Sequence, residues 1–483
     1  MSTTVSFTQE IEAQAKKNRA TTELVKIVSD LWYEDTIELL LFRNQLIDQN
    51  VSEILHVMES ARKFVGKPIT VFDILEVAKS IQSLDLPPSR IDIGKLTYEC
   101  AMVDTSCKKS FDFIKEKLKD ATDYNDFEPK DVVLYGFGRI GRLLARELIT
   151  QTGKGRQLRL RAIVTRGELN ETVLEKRASL LRDDSVHDDF PGSVAIDVAN
   201  NALIINGITV HMISSNAPDT IDYTKYDIKN ALVIDNTGVW RDEKGLGLHL
   251  KSKGVSKVLL TAPAKGDIPN IVYGVNQGDF DPDKLDIFSA ASCTTNAITP
   301  ILKAVEDVFG IEHGHLETIH SYTNDQNLVD NFHKKYRRGR AAAVNMVITT
   351  TGAGAAVSKA IPSLKGKLTS SAIRVPVPNG SLAILNLQIN KSASVEDINN
   401  AIKKYALDGD LVEQIKYSMN NELVSSDIVG ASASSIFDSK ATIASETDHK
   451  IILYVWYDNE YGYAHQVIRL SKYISKVRRY VYY

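Results

Sequence analysis

Residues 131–150 join an apolar run, Asp131-Val-Val-Leu-Tyr135, to Gly136-Phe-Gly138-Arg-Ile-Gly141-Arg142 and then to the helical pattern LLARELIT. No other stretch limits the fold as strongly. A buried strand must turn at once into a helix. Three glycines at this spacing permit the tight turn, close approach of the backbone to a pyrophosphate, and close helix–strand contact. The helix N-terminus then offers N–H groups and its positive dipole end to phosphate. The unit predicts a doubly wound parallel sheet that binds a dinucleotide.

The sequence that follows fits an α/β alternation. Leu158–Thr165, Ala231–Asp235 and Lys257–Ala262 read as further buried strands, and Ala202–Ile205 with Ile208–Met212 as a hairpin across Asn206-Gly207. The second strand ends Val164-Thr165-Arg166-Gly167. An acid is the usual residue there, gripping the adenosine ribose. A hydroxyl and a guanidinium instead suit a 2′-phosphate. The cofactor expected is therefore NADP or NAD, with NADP accepted at least as well.

Residues 1–128 differ from the rest. Their only glycines are Gly66 and Gly94, and Leu24, Ile27, Val28, Leu31 and Trp32 form a helical stripe. Thr70 and Asp73 mark a capped start for a helix carrying Val71, Ile74, Leu75, Ala78 and Ile81, which Pro87-Pro88 limits. Phe111, Ile114 and Leu118 suggest another helix, and residues 120–130 a polar linker. The region reads as an all-helical domain without a catalytic constellation, suited to oligomerisation or packing.

The 58 basic and 61 acidic residues leave a net charge of −3, which gives no global electrostatic case for nucleic acid or membrane. Three cysteines, Cys100, Cys107 and Cys293, are too few for a disulfide framework and suit a reducing, cytoplasmic setting. No apolar signal core opens the chain, and no run of about 20 apolar residues is present.

Cys293 lies in Ala291-Ser-Cys-Thr-Thr-Asn-Ala297, just before a helical stripe of Ile298, Ile301, Leu302, Val305 and Val308. A thiol at a helix N-terminus meets unpaired N–H groups that favour the nucleophilic thiolate. Pro300 is expected to kink that helix. His320, in Thr318-Ile-His-Ser-Tyr-Thr323, is the candidate base. His313 and His315 lie nearby without carboxylates or thiols at a ligand spacing, so no metal is expected.

With these strings in order, the sequence from about residue 131 to about 470 resembles phosphorylating glyceraldehyde-3-phosphate dehydrogenase. The resemblance rests on GFGRIGR (136–142), NTGV (236–239), APAKGD (262–267), ASCTTN (291–296), HSYTNDQ (320–326), RRGRAAA (337–343), TTGA (350–353), KGKLTSSAIRVP (365–376) and WYDNEYGY (456–463). It implies a Rossmann domain over 129–292, an α+β catalytic domain over 293–458, and a C-terminal helix over 459–483 returning to the Rossmann domain, after the extension of 1–128. It also implies a homotetramer acting on glyceraldehyde 3-phosphate and inorganic phosphate. Cys293 would be the nucleophile and His320 the base. Gly136, Gly138, Arg139, Ile140, Gly141, Arg166, Thr237, Thr261 and Asn459 would hold the cofactor. Thr323 and Arg374 match the site for the substrate's own phosphate, and Ser292, Thr294, Arg338, Thr351 and Gly352 that for the attacking phosphate.

The sequence departs from the family at several points. Tyr135 replaces a usual asparagine, Arg166 the ribose-binding acid, and Asn331-Phe332 a Leu-Pro pair that crowds a 2′-phosphate. Ala297 replaces a frequent second cysteine and Gly380 a usual valine. NADP use points toward the gluconeogenic direction. The rival expectations are erythrose-4-phosphate dehydrogenase, which ends in hydrolysis, and a partner-binding protein with a vestigial dehydrogenase core.

Overall fold

A computed structural model describes residues 6–61, 69–103, 110–123 and 127–483. Cys107, Gly66 and part of the expected linker lie outside them. The chain divides into two compact units.

The first unit comprises Met1–Pro129, Thr152–Gln157 and Val477–Tyr483. Its helices are α1 (Phe7–Asp30), α2 (Val51–Ala61), α3 (Val71–Gln82), α4 (Ile93–Val103) and α5 (Ser110–Lys117). Helix α3 begins where the sequence places it. The Thr70 hydroxyl accepts from Asp73 N at 3.3 Å, and Asp73 Oδ2 accepts from Thr70 N at 2.9 Å, a reciprocal cap. The stripe Leu24, Ile27, Val28, Leu31 meets Ile74, Leu75 and Ile81 in one buried core. The helical extension also carries strands that periodicity did not reveal: β1 (Glu38–Leu41), β2 (Asn44–Gln45) and β3 (Ser89–Asp92). All four residues of β1 are buried, so it has no alternation to read. The C-terminal strand Tyr480–Tyr482 pairs in parallel with β3 and completes this sheet.

The second unit holds Lys130–Gln151 and Leu158–Lys476. Its first sheet uses β4 (Lys130–Tyr135), β5 (Leu158–Thr165), β6 (Val194–Asp197), β7 (Ala202–Ile205), β8 (Ile208–Ser214), β9 (Ala231–Asp235), β10 (Val255–Leu260) and β11 (Ile287–Ser289). The order is β11-β10-β9-β4-β5-β8-β7-β6, parallel except at the β6–β7–β8 hairpins. Asn206 and Gly207 both take positive φ, as the two-residue turn between β7 and β8 requires. Helices α6 (Arg139–Thr150), α7 (Glu171–Arg182) and α8 (Glu243–Leu250) are interleaved with these strands. Strand order reverses between β4 and its neighbours β5 and β9, so the loops after β4 and β9 define the crevice where such sheets bind ligands.

The second sheet is mixed. It comprises β12 (Ile311–Ser321), β13 (Val347–Thr349), β14 (Leu368–Val375), β15 (Ser381–Ile389), β16 (Ile415–Ser418), β17 (Ser435–Asp438), β18 (Ile443–Ser445) and β19 (Lys450–Tyr457). Strand β12 pairs in parallel with β14 and antiparallel with β15. Helices α9 (Cys293–Phe309) and α11 (Val395–Leu407) bury Ile298, Ile301, Leu302, Ile398 and Ile402 against Leu385, Leu387 and Leu453 of the sheet. Helix α10 (Ala353–Ala360) precedes β14, and α12 (Tyr461–Ile474) ends the unit. Helix α9 continues through Pro300, whose imino ring deprives the Asn296 carbonyl of its usual donor.

Candidate active site

Strand β12 delivers His320 and helix α9 delivers Cys293. The Ser292 hydroxyl caps α9, accepting from Thr295 N at 3.1 Å, so Cys293 is the first helical residue. Ala291, just before it, takes φ 54°, a left-handed conformation costly for a residue with a Cβ. Tyr463 of α12 donates to the Ala291 carbonyl at 3.1 Å, and Asn296 Nδ2 donates to the carbonyls of Ala290 and Ser292 at 2.8 and 3.0 Å. These bonds fix the turn that presents the thiol.

Cys293 Sγ stands 3.6 Å from His320 Nε2. His320 pairs directly with Arg374 in the β12–β14 register. The Ser321 carbonyl lies 2.7 Å from both His320 Nδ1 and Arg374 Nη1. With its proton on Nδ1, the imidazole donates to that carbonyl and turns the Nε2 lone pair to sulfur. Burial, helped by the Arg374 charge, pushes the His320 pKa down to about 3. Burial also pushes the Cys293 thiol up, against the pull of Arg374 and the helix N-terminus. At the thiol, desolvation therefore works against the helix N-terminus and Arg374.

Tyr457 donates to or accepts from Thr294 Oγ1 at 3.0 Å, and its ring stands edge-on to His320. Arg338 binds the Thr349 hydroxyl at 2.8 Å and pairs with Asp325, so its charge is already met. Gly352 is the residue preceding α10, and Ala353 N donates to the Thr351 hydroxyl at 3.2 Å. Thr323 follows β12 by two residues, half-buried.

The dinucleotide loop has the required shape. Gly136 takes φ 101°, a Cβ at Gly141 would collide with the Gly136 carbonyl, and space is open at Gly138. Gly136, Gly138, Thr165, Arg166 and Thr237 line one pocket of about 350 Å³. The Thr165 hydroxyl is buried there without a partner. An anionic or hydroxyl-bearing nucleotide fits these donors. Arg139, Ile140, Gly141, Thr261 and Asn459 do not line the pocket. The Arg139 side chain is committed to Asp184 at 3.1 Å and Glu460 at 2.5 Å. The Thr261 hydroxyl donates to the Asp235 carbonyl at 3.1 Å, and Asn459 accepts from Ser381 at 2.8 Å. Asp235 organises the β9 loop: it accepts from Thr237 N and Oγ1 at 2.7 Å each and meets buried His249 at 3.0 Å. Neither Asp235 nor His249 was evident beforehand, since each reads simply as part of an apolar element.

The domain model described as "Glyceraldehyde 3-phosphate dehydrogenase, NAD binding domain" matches residues 130–243, and "Glyceraldehyde 3-phosphate dehydrogenase, C-terminal domain" matches residues 292–459. A glyceraldehyde-3-phosphate dehydrogenase-like protein of Pseudomonas aeruginosa is 48% identical over 455 residues, covering 93% of this chain and 97% of that protein. Glyceraldehyde-3-phosphate dehydrogenase 1 of Bacillus subtilis is 39% identical, over 71% of this chain and 98% of its own. The chloroplastic enzyme A of Zea mays is 40% identical, over 70% of this chain and 81% of its own. The first relative therefore extends well into the N-terminal region, which the other two do not match in length.

Proposed function

Because this chain belongs to the glyceraldehyde-3-phosphate dehydrogenase family, we propose that it oxidises glyceraldehyde 3-phosphate, with inorganic phosphate, to 1,3-bisphosphoglycerate through a thioester on Cys293. It is an NAD(P)-dependent oxidoreductase acting on an aldehyde. The observation that carries the mechanism is the 3.6 Å approach of Cys293 Sγ to an unprotonated His320 Nε2.

The thiol adds to the aldehyde carbon while His320 Nε2 relays its proton to the carbonyl oxygen, giving a thiohemiacetal. Bound NAD(P)⁺ supplies a hydride acceptor. His320 removes the hydroxyl proton as the C–H bond breaks, which leaves the acyl group on Sγ. Phosphate then attacks the thioester carbon, the C–S bond breaks, and the thiolate recovers its proton from His320. The loop Gly136–Gly141 and the N-terminus of α6 would hold the pyrophosphate, and Thr165 with Arg166 the adenosine ribose. Thr237 and Thr261 would line the cleft and Asn459 orient the carboxamide. Arg374 and Thr323 serve the substrate phosphate. Ser292, Thr294, Thr351, Gly352 and Arg338 serve the attacking phosphate, for which Arg338 must exchange Asp325. Absence of a ribose acid supports NADP use and, with it, the gluconeogenic direction.

Mixing enzyme, substrate and NADP⁺ without phosphate should leave an acyl adduct on Cys293, seen by mass spectrometry, and added phosphate should release it and raise turnover. A wild type that turns over without such an adduct would overturn the mechanism. Turnover indifferent to phosphate would point to a hydrolytic dehydrogenase instead.

A further inference from the structure

The nucleotide pocket contains a side chain from an element the loop motif does not include. Arg177 lines it from the middle of α7, beside Thr165 and Arg166 at the end of β5 and Ser215 after β8. Two arginines therefore line one pocket from separate elements, and no carboxylate lines it. Leu174, Ala178 and Leu181 bury the core face of α7, so Arg177, three residues after Leu174, stands at the margin of that face and is held by a rigid helix. Arg182 on the same helix is consumed by Glu175 and by the Val194 carbonyl at 2.9 Å. Among the described residues Arg177 makes no such pair, and neither does Arg166. The buried Thr165 hydroxyl at the same wall also lacks a partner.

Two unneutralised forks and an orphan hydroxyl make a site for a compact dianion. We propose that Arg177 is the second clamp on the adenosine 2′-phosphate and thereby sets the preference for NADP over NAD; the assignment rests on the NADP reading above. Arg166 lies on a loop that turns at Gly167 (φ 84°), whereas Arg177 is fixed by its helix. The rigid residue loses less freedom on binding and is the stronger discriminator.

The test is calorimetric binding of 2′,5′-ADP and of 5′-AMP to the full chain. Wild type should bind 2′,5′-ADP at least tenfold more tightly. Arg177→Leu should reduce the affinity ratio tenfold or more, and Arg177→Lys should restore part of it. Retained 5′-AMP binding reports that the variants are folded. A ratio unchanged in Arg177→Leu overturns the assignment, as does an equal loss of both ligands in Leu and Lys variants alike, which would make Arg177 a prop for adenine or fold. A wild-type ratio near one sinks the NADP reading itself, a distinct result.

Discussion

At the scale of single residues the site holds its reactive pair uncharged. Arg374 lies beside both partners and lowers the pKa of each, which favours the anion at Cys293 and disfavours the cation at His320. Since the His320 pKa sits near 3, the imidazole is uncharged at neutral pH, and transfer of the thiol proton to Nε2 is uphill in the resting site. With the thiol above its ordinary value, the thiolate fraction climbs through the alkaline range. Alkylation of Cys293 by iodoacetamide should therefore accelerate steadily from pH 7 to pH 9, approaching tenfold per unit, with no plateau in the neutral range. A rate already level between pH 6 and 8 would mean a preformed ion pair. The same depression has a stability consequence. The unfolded chain protonates His320 near its ordinary value and the folded chain does not, so stability falls as pH drops from about 6.5 toward 3. In His320→Asn that part of the acid loss should be absent from denaturant titrations, although the variant is weaker at neutral pH for want of the bond to the Ser321 carbonyl.

At the scale of elements, what was legible depended on range. Strands β4, β5, β7 and β9 and the cap of α3 follow from residues a few positions apart, and each appears where the pattern puts it. The Cys293–His320 pairing joins residues 27 apart and was readable only because both lie in recognisable strings. Register did the rest: nothing local says that His320 faces Arg374, which the β12–β14 pairing decides. The C-terminal strand was illegible for the same reason, because its partner β3 lies near residue 90. Its anchorage is strong. Arg479, 4% exposed, pairs with Glu38, 2% exposed, and stacks over the Trp32 ring at 5.1 Å. Arg43 and Arg90 cover the Tyr483 ring, and Tyr482 donates to Glu99 at 2.7 Å. Removing Val477–Tyr483 takes from buried Glu38 one of its two cations, leaving Arg90 at 3.1 Å, and exposes the edge of β3. The truncated protein should show rapid tryptic cleavage within residues 1–128 and lost amide protection in α1, α3 and β3, with protection of β12 and α9 retained. Unchanged protection in the first unit would show that the strand only decorates it.

At the scale of the whole molecule, one surface is out of keeping with a lone chain. The segment between β12 and β13 exposes Leu328, Val329, Phe332, Tyr336, Val344 and Met346, with Phe332 92% exposed. Soluble single chains seldom leave a contiguous apolar stretch of this kind uncovered. Charged side chains interleave with it, since Arg340 pairs with Asp330 at 2.9 Å, and a polar rim around apolar anchors is the anatomy of a protein interface. A second copy of the chain is the occupant proposed, consistent with a tetramer in the family at large. Charge placed among these apolar side chains should therefore break the association. Light scattering after gel filtration should give a mass several times the 53.6 kDa of the chain. The double change Phe332→Asp and Met346→Asp should lower that mass while Cys293 still alkylates, because neither residue touches the thiol. If the wild type already elutes as a 53.6 kDa species at micromolar concentration, the apolar loop is not an oligomer contact, and self-association through this surface is excluded.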